Sequence, residues 1–485
     1  MTEVAPEAKV ADEPGGYEPE LKRSLGQFQV FAISFAFISV AVGVFGTYDD
    51  VLQNAGPVGI WLWVVVAIGQ TLVALVIAQF AARIPLSGSS YQWGSRLANP
   101  KVGWWFGWAN FCILALGVVA INNALAQMAL MPLLGMAEDE GTARVITVGL
   151  MIVEAVIVIA STRLLAMINS GAVGLELTLV IVLTIALLVA VAVSGKGSLD
   201  NLMSRGITEG APNYFGVGGG LMLATVLGMT TLVGFDAAAN LAEEAKNPYR
   251  SVPRAVVGSV IAAGVLGLMF LIALTVAIHD LPRISRSNSP VVLILRDQLG
   301  PVAESILLGA IVFAFFGAGM VTLATCSRII YAMARDSRFP AHRLMRRVNP
   351  RTQTPIPATI LIVVLGIALM VVMPGDALLE LITTGTIIGP LLYGATIVLY
   401  LCVRKGLGRV EGAFDLGRFE MPVAVSALVW SVIAVFLIVA PSSARVPIVL
   451  VVGLFLIGAL YFLKLWKFNR GVLETEPENT EMFKH

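Results

Sequence analysis

Ser39-Val40-Ala41-Val42-Gly43-Val44-Phe45-Gly46-Thr47 lies in the middle of an apolar run over 28–52, and Gly228-Met229-Thr230-Thr231-Leu232-Val233-Gly234-Phe235-Asp236 lies in the middle of another over 217–242. Each run is long enough to cross a bilayer, which takes about 20 mostly apolar residues. Both place glycine, β-branched and hydroxyl residues near mid-membrane, where helix propensity is poor, so each helix is expected to be interrupted there. Glycine alone is also a packing device in membrane helices. The spacing of the two segments along the chain is what makes the pair informative.

Outward from these two, the sequence reads as twelve spans: 28–52, 57–82, 102–132, 143–162, 168–194, 217–242, 254–279, 302–334, 357–373, 377–402, 422–440 and 446–466. Pro, Gly or charge clusters separate them, as at Ala55-Gly56-Pro57 and Glu138-Asp139-Glu140-Gly141. Composition agrees. Of 485 residues, 57% are hydrophobic and 13% charged, with mean hydropathy +0.86; an ordinary soluble domain carries about 25% charged residues. A soluble globule and a disordered chain are both excluded. The fold class is an all-α polytopic membrane protein with twelve transmembrane helices.

Charge placement gives the orientation. Both tails and the even-numbered loops together hold 25 of the 32 lysines and arginines; the rest are Arg144, Lys196, Arg205, Arg283, Arg286, Arg296 and Arg445. By the positive-inside rule both termini are cytoplasmic, and the basic stretch from Arg335 to Arg351 is a cytoplasmic loop serving topology and lipid headgroups rather than nucleic acid. The expected location is the cell (inner) membrane.

The two irregular helices are the first and the sixth. Repeats of five helices that begin with each of them must cross the membrane in opposite senses. The domains are then a tail over 1–24, an inverted repeat over 25–200, a second over 201–405, two appended helices over 406–468, and a tail over 469–485. An inverted repeat whose first helices are broken points to a transporter site, because a broken helix exposes N–H and C=O groups tolerable only beside a cavity or ligand.

Several segments carry a resemblance. Ile84-Pro85-Leu86-Ser87-Gly88-Ser89-Ser90-Tyr91-Gln92-Trp93, Gly234-Phe235-Asp236 through Asn240-Leu241-Ala242-Glu243-Glu244-Ala245-Lys246-Asn247-Pro248, and Ser327-Arg328 through Tyr331-Ala332-Met333-Ala334-Arg335-Asp336 with Asn349-Pro350-Arg351 and Thr354-Pro355 resemble motifs of the amino acid–polyamine–organocation (APC) transporters, most closely the amino acid/choline branch. The resemblance runs from about residue 25 to 400. It implies a 5+5 inverted-repeat fold with discontinuous helices 1 and 6 and helices 11 and 12 appended. It also implies a substrate carboxylate near Ser39, Val40, Ala41, Val42 and Gly43, and an amino group near the carbonyls of Thr230, Thr231, Leu232, Val233 and Gly234. One departure stands out. The family's usual Gly-x-Gly-Ile-Phe reads Ala41-Val42-Gly43-Val44-Phe45 here, which crowds the pocket and counts against a standard α-amino acid.

Each ionisable residue at bilayer depth costs about 2.5–3.5 kcal/mol on insertion scales and needs a reason. Glu176 lies about 12 Å along helix 5, at 1.5 Å per residue. It matches a position where some proton-coupled relatives carry lysine, and burial disfavours the charged form of a carboxyl. Proton coupling is its expected role, against that of a neutral hydrogen-bonding acid. Asp236 is expected to cap the second half of helix 6 or to contact a cationic substrate. Glu154 has no evident partner. Glu243 and Glu244 read as a solvated face paired with Lys246, Arg250 and Arg254, or as a cytoplasmic gate. Asn122 and Asn123 read as interhelical partners, and Thr322 and Thr325 share a helix face suited to a Na⁺ site.

Other classes find little support. Cys112, Cys326 and Cys402 are far apart and in apolar runs, which gives neither a disulfide framework nor a zinc site. Gly216-Val217-Gly218-Gly219-Gly220 lacks the Lys and Ser/Thr of a phosphate loop, and no cofactor motif appears. His279, His342 and His485 sit at or beyond helix ends, so an intramembrane enzyme is not indicated. The function expected is secondary active, proton-coupled import of an amino acid, amine or organocation by alternating access. Its partners are a small-molecule substrate, the coupling proton and membrane lipids, with no nucleic acid. The alternatives are an exchanger, a Na⁺-coupled symporter and a transporter-like sensor.

Overall fold

The first span is two helices, α1 (Gln27–Ile38) and α2 (Val40–Asn54), and only Ser39 between them leaves the helical conformation. The structure, a computed structural model, describes residues 23–477 apart from 138, 288, 374 and 409–411. Most of the two expected tails, 1–22 and 478–485, therefore lies outside the described residues.

The following spans are α3 (Leu62–Ala81), then a short α4 (Ser89–Leu97) after the Pro85–Gly88 turn, α5 (Pro100–Ala124), α6 (Glu140–Ala160) and α7 (Thr162–Ser194). Cap residues set their starts. Asn99 accepts from the Lys101 and Val102 N–H groups, Asp139 from Thr142 N at 2.7 Å, and Ser161 from Arg163 and Leu164. Hydrogen bonds from Thr142 hold the Asp139 carboxyl below its ordinary value. The sixth span is short and broken: α8 (Gly220–Ala224), α9 (Val226–Thr231), an irregular stretch, and α10 (Ala237–Asn240).

The chain continues through α11 (Pro248–Val276), α12 (Pro290–Leu299), α13 (Pro301–Arg335), a short α14 (His342–Met345), α15 (Ile356–Val372), α16 (Gly375–Val403), α17 (Glu420–Val439), α18 (Arg445–Phe468) and α19 (Arg470–Glu474). Among the described residues ten helices are long and apolar enough to cross a membrane; the shorter Gly220–Thr231 and Ile356–Val372 fall where the sixth and ninth spans are expected.

The 35-residue α13 is buried along most of its length, whereas α17 and α18 present mostly exposed apolar faces. α11 packs along α3 and α1, and α13 along α5 and α7, so these helices enclose the two broken spans. Both ends of the described chain meet at one end of the bundle. Ser24 N and Leu25 N donate to Glu244 O, and Lys246 N donates back to Leu25 O, each at 3.0 Å. Arg338 donates to Val472 O and Thr475 O, at 3.1 and 2.8 Å.

Candidate functional site

Ser39 takes φ +36, ψ +90, a left-handed φ that costs an L residue about 1–2 kcal/mol. Ser39 N still closes the last turn of α1 on Phe35 O, and Gly43 N opens α2 on Ser39 O. The free N–H end of α2 meets a carboxylate. Glu176, from α7, accepts from Ala41 N and from Ser39 Oγ, each at 3.0 Å. This buried acid caps a half-helix at mid-span, where the partial positive charge of the helix N-terminus favours an anion. The interruption expected within Ser39–Thr47 is one residue wide, because Ala41 and Val42 hold helical geometry and Glu176 satisfies the exposed donor.

The sixth span opens further. After Thr231, Leu232 turns to ψ +51, Val233 N bonds Thr231 O, and Gly234 takes φ +76. A Cβ on Gly234 would lie 1.8 Å from the Phe37 ring, so both backbone and neighbour require glycine. The two broken spans touch directly: a Cβ on Gly43 would lie 2.2 Å from the Thr231 side chain, and Ser34 Oγ donates to Phe235 O at 2.7 Å. Tyr393, from α16, accepts from Gly234 N at 3.0 Å and donates to Asp236 Oδ1 at 2.8 Å. Asp236 makes no side-chain cap for α10, contrary to the sequence expectation, because the Tyr393 phenol takes its carboxylate instead.

Between these breaks lies a cavity of about 280 Å³. The broken spans contribute Val42, Gly43, Thr230, Thr231, Val233, Gly234 and Asp236 to its wall; α5, α13 and α16 contribute Asn110, Thr325 and Tyr393 among others. The side chains of Ser39, Val40, Ala41 and Leu232 are buried and do not line it. Glu176 does not line it either, but sits behind α2 at the hinge. Among the described lining residues Asp236 is the one charged side chain. Asn110 Nδ2 and Thr325 Oγ1 are buried there without a protein partner among the described residues. A largely apolar chamber with one carboxylate and a few free polar groups suits a small organic solute bearing a positive charge.

A family model described as amino acid permease matches residues 25–460. This chain belongs to the amino acid permease family, within the APC superfamily. It is similar to amino-acid permease BAT1 of Arabidopsis thaliana (25% identical, covering 86% of this chain and 85% of that one). It is similar also to a BAT1 homolog of Oryza sativa subsp. japonica (26%; 86% and 84%) and to the GABA-specific permease of Saccharomyces cerevisiae (24%; 88% and 77%). The permease is thus a multi-pass membrane transporter of amino acids or amines, not an enzyme.

At one end of the permease, just past Asn240 in the chain, two ion pairs lie side by side in sequence, one fully and one partly buried. Glu244 and Arg328 pair at 2.8 Å, both essentially without exposure, and Arg328 also donates to Thr162 Oγ1. Glu243 accepts from Ser87 N at 3.0 Å and pairs with Arg335 at 3.2 Å. The solvated face expected for these two acids, with Lys246, Arg250 and Arg254, is not what forms. Their partners come from α13 and from the turn before α4, far away in sequence.

Glu154 finds its partner in Asn122, whose Nδ2 donates to Oε2 at 2.9 Å, while Oε1 lies against the backbone of Gly319. Asn123 accepts from Gln127 Nε2. Thr322 Oγ1 is turned back onto Ala318 O, so of the two threonines only Thr325 faces the cavity. Tyr393 and Asn110 escaped sequence reading. A tyrosine three residues after Pro390 and an asparagine inside α5 were the available signals, and neither specifies a facing.

Proposed function

We propose that the permease is a proton-coupled importer of an amine-bearing small molecule, an amino acid or related amine, working by alternating access. The observation that carries the coupling is the Glu176 carboxyl on Ser39 Oγ and Ala41 N, each at 3.0 Å. A charged acceptor strengthens such bonds to about 1.5–3 kcal/mol. Protonation of Glu176 weakens its hold on the N-terminus of α2 and frees the hinge at Ser39. Proton loading and movement of the first span are thereby tied together without the proton entering the cavity.

Substrate choice rests on Asp236 as the site's anion, with the Gly234 region, Asn110 and Thr325 completing the polar wall. The first-span N–H groups expected to hold a substrate carboxylate are in part engaged by Glu176. The amino end of the substrate is therefore its main electrostatic anchor. That α11 packs on α3 and α13 on α5, each pair five spans apart, supports inverted repeats over 25–200 and 201–405. The chain ends converge where lysine and arginine concentrate, which supports cytoplasmic termini in a cell (inner) membrane.

Uptake into proteoliposomes tests this reading. Labelled amino acids, GABA, choline and polyamines are offered under an imposed inward proton gradient, with the gradient then collapsed, with Na⁺ replaced, and with Glu176→Gln. Uptake that follows the proton gradient and loses that dependence in Glu176→Gln supports coupling through this carboxyl. Uptake indifferent to the gradient but stimulated by internal substrate makes the permease an exchanger.

A further inference from the structure

The loop joining α13 to α15 holds a second cavity, well away from the transport chamber. Its volume is about 520 Å³, and its wall includes Tyr331, Arg335, Arg346, Arg347, Asn349 and Gln353. Among the described residues no acidic side chain lines it. Among the described residues no carboxylate pairs with Arg343, Arg346 or Arg347, although Arg335 reaches Glu243. Partial burial and then the charges of Arg343 and Arg346 hold the His342 imidazole below its ordinary value, consistent with a positive potential left uncancelled. The loop is a built one: Asn349 N bonds Thr354 O, Gln353 N bonds Asn349 O, and Thr354 Oγ1 is anchored on Ile159 O.

The surroundings of this basic cavity have the character of a membrane surface. The short helix α14 that ends at Met345 contributes His342, Arg343 and Leu344 to an adjoining cleft, shared with Tyr461, Lys464 and Phe468 of α18. Leu344, Trp466 and Phe468 are exposed at 45%, 47% and 71%. Exposed aromatic and apolar groups beside lysines at a helix end mark the headgroup level of a bilayer. We propose that the Arg335–Arg346–Arg347 cavity binds the phosphate of an anionic phospholipid from the leaflet at this end of the bundle. A phosphate accepts forked hydrogen bonds from guanidinium groups, and basic pockets on the cytoplasmic side of helix bundles suit anionic headgroups. Because Arg335 also pairs with Glu243, the bound phosphate draws on the same guanidinium as that ion pair.

The test reads binding rather than transport, so it stands apart from the coupling and orientation proposed above. Delipidated full-length permease is titrated with phosphatidylglycerol and with phosphatidylcholine and followed by native mass spectrometry, with thermal unfolding as a check on folding. The expected result is preferential retention of phosphatidylglycerol, weakened roughly 30-fold in Arg346→Gln/Arg347→Gln, about fivefold for each exposed arginine removed. Arg163→Gln/Lys405→Gln, which removes two charges from the same end outside the cavity, keeps the affinity. Equal weakening in both double variants would mean a diffuse field rather than a site and would overturn the proposal. So would equal retention of the two lipids, or displacement of phosphatidylglycerol by equimolar glycerol 3-phosphate, which would make the ligand a soluble phosphate.

Discussion

Glu176, Tyr393 and Glu154 each do something that their residue type alone does not prescribe. Glu176 spends its carboxylate on a backbone N–H and a hydroxyl at the hinge. Glutamine keeps an acceptor oxygen there, so Glu176→Gln is expected to fold within about 2 kcal/mol of the parent and to lose gradient-driven uptake while keeping substrate exchange across the membrane. Counterflow and ΔpH-driven uptake, measured side by side, check this. Tyr393→Phe removes one donor from Asp236 and one acceptor from Gly234 N. A fall in transport efficiency of about tenfold is expected, the equivalent of one charged hydrogen bond, carried mainly by KM. Glu154 Oε1 and Asn122 Oδ1 are both buried acceptors without another partner among the described residues. An amide in place of the acid supplies a donor between them, so Glu154→Gln is expected to keep the thermal midpoint. Glu154→Leu takes one of the two acceptors of Asn122 Nδ2 and leaves it only Val118 O, at an expected cost of about 1–3 kcal/mol.

At the scale of elements, the two broken spans break differently, and sequence shows why only in part. Glycine-rich composition marked both segments, correctly as to place. The width of each break depended on neighbours: in the first span Glu176 from α7 satisfies the α2 donor and the unwinding stays at Ser39, while in the sixth the Phe37 ring occupies the space beside Gly234 and the backbone turns left-handed. Gly234→Ala is expected to abolish uptake and lower stability. Adding Phe37→Ala relieves the overlap yet leaves about 1–2 kcal/mol for the left-handed residue, so the double variant should recover folding only in part, as thermal unfolding in detergent will show. The motif after α3 was legible as a motif but not as a ligand. Ser87 N serves Glu243, and nothing in the local sequence encodes a bond across 156 positions.

For the whole molecule, the decisive interactions are those that close one end of the bundle. The Glu244–Arg328 pair is buried on both sides, and removing one partner of such a pair typically costs about 3–5 kcal/mol because the other charge is left uncompensated. Glu244→Gln and Arg328→Gln should each fall in that range by thermal or denaturant unfolding, with a smaller loss in the double variant. A C-terminal tag is expected to be reachable by protease only from the cytoplasmic side, the outcome that the distribution of basic residues requires. Apolar runs of spanning length and the sorting of charge give the membrane class, the expected span count and the expected orientation from sequence alone, because bilayer thickness and headgroup charge act on each segment separately. Which side chains meet was settled only by packing. Val42 faces the cavity while Ala41 beside it gives its N–H to Glu176, Asp236 is held by a tyrosine from α16, and Glu244 is buried against α13. A helix in lipid can rotate about its axis at almost no cost in hydropathy, so facing is fixed by contacts between helices remote in sequence, and those exist only once the bundle has assembled.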